Sequence, residues 1–277
     1  MKAKEFFATV TYLLNKSESD ILDEMWEANK NQLNLRAGYH TKKVAIASGS
    51  APYRFTNIHY FPAAAVLFGS EAKGGYEYAG KTYACRKTFN NHDGKFDTCV
   101  ECHMGTMGAE YAAGHNVHKV NKADCVYCHG QDVAQPYPGS APYKFMFSGI
   151  RPGSTPDYDG DGNKSESVNT EIQGLEAALY AQIQAYGCAI GSPIIYESHT
   201  YPYFFNDTDG SGLVNPGEAI YPNAYSAFDA KLLKAAYNYQ LTRKEPNGFI
   251  HNSRYIAQLL IDSIQDLGGN VAPYTWR

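Results

Sequence analysis

Three stretches in the second half of the chain repeat apolar residues at helical spacing. The stripes are Ile172, Leu175, Leu179, Ile183 and Tyr186, then Phe228, Leu232, Ala236 and Tyr239, then Ile256, Leu260, Ile264 and Leu267. Residues three or four positions apart lie on one side of an α-helix, so each stripe predicts a helix with one buried face. Because strand signals are few, we expect a mainly α fold with much irregular loop and few or no strands.

Further helices are predicted near 3–15, 19–33 and 57–69, with short ones at two cysteine-rich motifs. Proline and glycine concentrate at 136–156, which predicts a boundary between a half at 1–150 and a half at 151–277, packed together as one unit. No apolar run reaches the roughly 18 residues of a membrane helix. The sequence MKAKEFFATVTYLLNK lacks a signal-peptide cleavage site, so we expect a helix of the mature protein there.

Composition excludes one class of partner. The 277 residues carry a net charge of −4, which gives no electrostatic reason to expect nucleic acid. Tyrosine is frequent, at 23 residues, and such rings can serve a core, an interface or cofactor packing.

The motifs CVECH and CVYCH contain four of the six cysteines. Their chemistry-bearing residues are Cys99, Cys102, His103, Cys125, Cys128 and His129. Four thiolates at this spacing are one alternative, a zinc site. The histidine behind each pair favours the attachment signature of c-type haem, in which two thiols bind the porphyrin and the imidazole binds iron. We therefore predict two covalently attached haems.

A second histidine for each iron would close both haem faces, as in an electron carrier, whereas an enzyme leaves one face open. His59 heads an apolar, alanine-rich segment, and His118 lies in the linker between the motifs. His115 is one helical turn from His118, and His251 begins a predicted helix. We favour His59 and His118, then His115 and His251, without assigning any of them to a particular iron.

Cys85 and Cys188 belong to no motif. Covalent haem attachment takes place outside the cytoplasm, where disulfides persist, so a Cys85–Cys188 bond is the favoured interpretation. Two buried free thiols are the alternative, and a ligand role for Cys85 at a third haem is a weaker one.

The segment DTDGSGLVNPGE at 207–218 matches a twelve-residue calcium loop. Gly212 falls at the sharp turn, and Asn215 would give a direct or water-mediated contact. The predicted ligands are Asp207, Asp209, Ser211, the carbonyl of Leu213, and Glu218. An acidic turn without metal is the alternative.

A second segment, DYDGDGNKSESVNTE at 157–171, begins in the same way but has Val168 at the twelfth position. Glu166 or Glu171 would have to replace the missing carboxylate. The predicted ligands of this second calcium ion are Asp157, Asp159, Asp161, Asn163 and Glu171. Neither loop is accompanied by a methionine-rich groove, so we expect bracing of the fold rather than a calcium switch.

The chain resembles the C-terminal part of large multihaem c-type cytochromes of metal-reducing bacteria. The similar stretches lie at 57–83, 198–212 and 232–264, together with the two CxxCH motifs. The resemblance implies a mostly helical, haem-centred fold and electron transfer toward extracellular acceptors, and it adds weight to His59 and His251 as iron ligands. Such cytochromes usually carry more than two haem motifs, which is a departure here.

The leading hypothesis is an electron-transfer dihaem cytochrome, outside the cytoplasm, with closely spaced bis-histidine haems. Its partners would be other cytochromes or extracellular electron acceptors, and copies could assemble into a filament. The alternatives are a dihaem enzyme, such as a peroxidase or small-molecule reductase, and a structural module with zinc and calcium.

Overall fold

The structure, a computed structural model, describes Phe55, Ile58 and residues 62–88, 149–151 and 155–275. Four α-helices are present in these residues: α1 Ala63–Phe68, α2 Val168–Ala189, α3 Ala230–Lys244 and α4 Gly248–Asp266. Short 3-10 helices lie at Gly69–Glu71 and Tyr221–Asn223, and two strands, β1 Ile194–Tyr196 and β2 Phe204–Asn206, form one sheet. The prediction of a mainly helical fold with much loop is confirmed for this part of the chain.

Helix α2 begins where its sequence predicts a cap. The Ser167 side chain accepts a hydrogen bond from the Thr170 amide, which satisfies one of the unpaired N–H groups of the first turn. The predicted stripe faces the core, with Leu175, Leu179 and Ile183 fully buried. These side chains pack against α3 and α4.

Helix α3 packs against both α2 and α4 and is buried on most sides. Asp229 caps it by accepting from the Leu232 amide at 2.8 Å, so the predicted stripe residue Phe228 precedes the helix although it is buried. Two buried side chains of α3 accept hydrogen bonds from residues far away in the sequence. Asn238 accepts from the Tyr76 amide at 2.7 Å, and Gln240 accepts from the Ile58 amide at 3.1 Å.

Residues 62–88 pack on α4 rather than forming a long helix. The predicted helix near 57–69 is shorter than expected, because Pro62 lies at its N-cap, α1 begins at Ala63, and Ile58 is not helical. Gln258 of α4 accepts from the Ala84 amide at 2.7 Å and donates to the Thr82 carbonyl at 2.8 Å. The segment is thus fixed through its main chain.

The sheet leads directly into one of the acidic loops. β1 and β2 are antiparallel, with Ile195 opposite Phe205, and the turn between them contains a cis bond before Pro202. Phe204 is buried and packs edge-on against Phe55, with ring centres 4.8 Å apart. The end of β2 is therefore anchored in the core directly before the acidic loop at 207–218.

Several predictions concern residues outside the described ranges: the helices near 3–15 and 19–33, the helices at the haem motifs, and most of the boundary segment 136–156. Within the described part of the chain, no helix combines the length and apolar character that crossing a membrane requires.

Candidate functional site

Most of the predicted haem residues lie outside the described residues. They are Cys99, Cys102, His103, Cys125, Cys128, His129, His59, His115 and His118. His251 is described, as are both acidic loops and the cysteine pair.

His251 lies in the first turn of α4 and is held by a buried carboxylate. Its Nδ1 is 3.0 Å from Oε1 of Glu245, and the two side chains are 18% and 2% exposed. Glu245 ends α3, where the following Pro246 disfavours further helix. Because a carboxylate only accepts hydrogen bonds, Nδ1 carries a proton, and in the neutral ring the lone pair is then on Nε2.

The helix is interrupted directly after this histidine. Asn252 has φ −165° and ψ 77° inside α4, so the helix is two segments joined at a kink. Its Oδ1 accepts from the Tyr255 amide at 3.1 Å, which caps the second segment. Its Nδ2 donates to the carbonyl of Cys85 at 3.0 Å and lies 3.4 Å from that of Leu67. The backbone of His251 is thereby tied to the end of α1.

The donor set at His251 fits an axial haem ligand. Histidines that bind metals commonly donate their second ring N–H to a carboxylate or carbonyl, as His251 does to Glu245. When bound, a haem would supply an iron that changes between the ferrous and ferric states.

The loop at 207–218 is organised around Asp207. Its Oδ1 accepts the amide of Gly210 at 2.8 Å and that of Ser211 at 3.2 Å, and its Oδ2 accepts the amide of Gly212 at 2.8 Å. Gly210 and Gly212 both have φ of +72°, a conformation that glycine adopts without strain. The turn therefore depends on the residues at the first, fourth and sixth positions.

Glu218 closes the same loop. Its Oε1 accepts the Thr208 amide at 2.8 Å and hydroxyl at 2.7 Å, and its Oε2 accepts the Asn215 amide at 2.9 Å. The Thr208 hydroxyl bond is the main reason that the pKa of Glu218 is lowered. Oxygens of Asp207, Asp209 and Glu218 lie within 4.8 Å of one another.

Asp209 completes this cluster from the exposed side of the loop. Hydrogen bonds from the side chain and amide of Ser211 lower its pKa, the side-chain bond contributing most. Its Oδ2 also lies 2.8 Å from Nδ2 of Asn215. Three carboxylates that converge at one point supply the oxygen ligands that calcium requires.

The loop at 157–171 reproduces the first half of this arrangement. Asp157 accepts the Gly160 amide at 2.7 Å and the Gly162 amide at 3.0 Å, with φ of +69° and +90° at the two glycines. Glu171, from the first turn of α2, accepts the Tyr158 amide at 2.7 Å, the counterpart of the bond from Thr208 to Glu218. Glu171 therefore takes the closing position that Val168 leaves empty.

Arg151 distinguishes the two loops. Its guanidinium donates to Oε1 of Glu171 and, at 2.8 Å, to the Glu166 carbonyl. Asp159 and Glu166 have raised pKa values, chiefly because burial disfavours their charged forms. This loop thus contains a positive side chain beside its closing carboxylate.

Helix α2 links the two loops and keeps them apart. Glu171 is in its first turn, and Gln184 donates to the Gly212 carbonyl at 2.7 Å. Thirteen residues at 1.5 Å each separate these anchor points by about 20 Å. The loops are two separate sites.

The structure does not contain the predicted Cys85–Cys188 disulfide. Both cysteines are free thiols and both are exposed, which also excludes the alternative of buried thiols. Cys85 lies 3.4 Å from the Ser70 hydroxyl near the start of α4, whereas Cys188 is in the last turn of α2. Each lies on a different part of the surface.

Comparison with known proteins gives curated relatives of one kind. In an alignment of 256 residues that covers 84% of the chain, it is 28% identical to the C-type polyheme cytochrome OmcB of Geobacter sulfurreducens, and it is 27% identical to OmcC of the same species. The chain is similar to polyhaem c-type cytochromes.

The chain spans only 29% of the length of OmcB and 28% of OmcC. No family model matches, and no solved structure matches.

Sequence reasoning missed Glu245 and Arg151. Glu245 precedes His251 by six positions, which is not a helical spacing. Pro246 predicts the end of a helix, but the sequence does not show that the following turn brings the two side chains into contact. Arg151 lies six residues before its loop and had no pattern to mark it.

Proposed function

We propose that the chain is an electron-transfer cytochrome with two covalently attached haems, bound at Cys99, Cys102 and His103 and at Cys125, Cys128 and His129. The observation that carries this proposal is the pair of CxxCH motifs within a chain that aligns over 84% of its length with polyhaem cytochromes. Twenty-two residues lie between Cys102 and Cys125, so the haems belong to one compact module in which electrons pass directly between them.

Each iron is proposed to have a second histidine, drawn from His59, His118, His115 and His251. The hydrogen bond between His251 and Glu245 supports His251 in this role. Imidazole on both faces favours a low reduction potential, because it lacks the potential-raising effect of a methionine ligand.

The proposed partners are other cytochromes or extracellular electron acceptors, in a compartment outside the cytoplasm. Assembly of copies into a filament would extend the path for electrons. Sedimentation of the haem-loaded protein at increasing concentration tests assembly, and a monomer at every concentration would contradict it.

Calcium is proposed as a second, structural component. The loop at 207–218 would bind one ion, supported by the cluster of Asp207, Asp209 and Glu218. The loop at 157–171 would bind a second, with Glu171 as its closing ligand, supported by the same pattern of hydrogen bonds around Asp157.

The deciding test is a visible absorption spectrum, oxidised and dithionite-reduced, with haem counted per chain. Two haems with sharp low-spin bands support the carrier. A high-spin component that responds to carbon monoxide or peroxide would favour the dihaem enzyme instead. A colourless protein would overturn both and leave a zinc and calcium module.

A further inference from the structure

Glu245 is an ionisable side chain buried where the core would ordinarily exclude a charge. The residue is 3% exposed, and its Oε1 lies 3.0 Å from Nδ1 of His251. Its Oε2 is buried and has no hydrogen-bond partner among the described residues. Burying a carboxylate costs free energy unless a partner compensates, so this carboxylate depends on the imidazole.

Main-chain hydrogen bonds hold the short connection between the two side chains. The Glu245 carbonyl accepts the Gly248 amide at 2.9 Å, and the Asn247 carbonyl accepts the His251 amide at 3.1 Å. Pro246 restricts the same turn. These main-chain bonds hold the two residues in positions from which the carboxylate and the ring contact each other.

The break at Asn252 fixes the other side of the histidine. Its side chain binds the Cys85 carbonyl and caps the next helical segment. His251 therefore lies between two fixed points, Glu245 before it and Asn252 after it. The bond from Nδ1 to Glu245 then favours the tautomer that carries its proton on Nδ1.

We propose that Glu245 is a positioning residue for iron ligation by His251, which rests on the proposed function. When Glu245 accepts a hydrogen bond from Nδ1, the lone pair of the neutral ring is on Nε2, and the bond orients the plane of the ring. An anionic acceptor also makes the imidazole a more basic ligand, which stabilises ferric over ferrous iron. Glu245 thus lowers the reduction potential of the haem that His251 serves.

The chain contains a matched pair on its surface. Nδ1 of His199 lies 3.1 Å from Oε1 of Glu197, but the two side chains are 90% and 28% exposed. Water screens such a pair, and none of the predicted ligands is involved. Glu197→Gln is therefore the control for Glu245→Gln.

The experiment measures the midpoint potential of each haem, and the ferric low-spin electron paramagnetic resonance signals, in the haem-loaded full chain. Glu245→Gln keeps the shape of the side chain and removes its charge. We expect one haem to become easier to reduce by about tenfold in equilibrium constant, a positive shift of about 59 mV for one electron. Its resonance signal should change, and Glu197→Gln should alter neither quantity.

The variant His251→Met tests iron ligation by His251 separately from the role of Glu245. If it leaves both haem spectra and potentials unchanged, His251 is not an axial ligand and that part of the proposed function fails. If it alters one haem while Glu245→Gln alters neither potential nor resonance signal, the ligand stands and the role of Glu245 is overturned.

Folding is checked by circular dichroism and by haem per chain. Should Glu245→Gln fail to fold, Glu245→Asp replaces it, because it retains the charge but lengthens the contact. A smaller positive shift of the same haem supports the role, and an unchanged potential overturns it.

Discussion

Arg151 gives the two acidic loops different electrostatics. Its side chain is 12% exposed and its partner Glu171 is fully buried. In the loop at 207–218 the closing Glu218 is bonded by Thr208 and Asn215 instead. Glu171 is therefore paired with a positive charge, whereas Glu218 is stabilised by hydrogen bonds from neutral groups.

Replacing Arg151 by Gln should destabilise the protein and make its stability more dependent on calcium. Removing one partner of a buried pair costs about 3 kcal/mol or more, and a bound cation would recover part of it. Urea denaturation with calcium and with chelator measures both effects. Arg243→Gln is the control, because its pair with Glu176 is 44% exposed on the arginine side and should cost under about 1 kcal/mol.

Tyr225→Phe should change how stability depends on alkaline pH. Burial raises the pKa of Tyr225 from 10.0 to about 12, and its hydroxyl donates to the Ser192 carbonyl at 2.9 Å. A raised pKa in the folded state means that the contribution is complete below pH 10 and is lost as pH rises toward 12. Denaturation midpoints across this range should fall more steeply for the parent than for the variant.

Below pH 10 the same variant should cost about 1 kcal/mol, the value of a buried hydrogen bond, while the ring contact with Phe228 remains. Tyr221→Phe, on a side chain 66% exposed, is the control and should cost under about 0.5 kcal/mol of stability. Parallel curves for parent and Tyr225→Phe would contradict the assignment.

The long helices were predictable from sequence because each has apolar residues repeated at helical spacing. Leu175, Leu179 and Ile183 are fully buried, as the stripe of α2 predicted. The strands were not, since three residues are too short for an alternating pattern to be seen. The kink at Asn252 was not predicted, because it does not interrupt the apolar stripe of α4. The preference of asparagine for the N-cap position could have indicated that a new helical segment begins there.

Asn252→Ala should separate the two segments of α4 from α1. It removes the cap of the Tyr255 amide and leaves the Cys85 carbonyl without its partner, at a site 1% exposed. A lost cap and an unsatisfied buried carbonyl together cost about 3 kcal/mol, measured by urea denaturation.

Asn270→Ala is the control for this variant. Within the described residues, the side chain of Asn270 accepts one hydrogen bond, from the exposed Ala272 amide at 3.0 Å. We expect a change of under about 0.5 kcal/mol. Equal losses in the two variants would mean that the kink contributes nothing specific.

At the scale of the molecule, the sequence indicated groups of ligands that are close together in the chain better than contacts between residues far apart in it. The acidic loops were recognisable because calcium ligands occur at fixed spacing, and their carboxylates do converge. The disulfide was predicted from the parity of leftover cysteines, which says nothing about where folding places Cys85 and Cys188. The division at residue 150 stays a prediction, as do the haem ligands outside the described ranges.

Calcium removal should destabilise the haem-loaded protein without changing its haems. The loops lie at the start of α2 and the end of β2, whereas His251 is held by Glu245 and Asn252 at the junction of α3 and α4. An ion bound only by the folded state adds about 2.7 kcal/mol at one hundred times its dissociation constant. Chelator should therefore lower the melting temperature and leave the visible spectrum and midpoint potentials unaltered.

The variants Asp207→Asn and Asp157→Asn divide this effect between the loops. If both bind calcium, each variant should remove part of the calcium-dependent rise in melting temperature, and the double variant should remove all of it. A melting temperature independent of calcium in the parent protein would show that both are metal-free acidic turns. A potential that moves with calcium would mean that the loops and the haems are coupled through α2 and the helices packed on it.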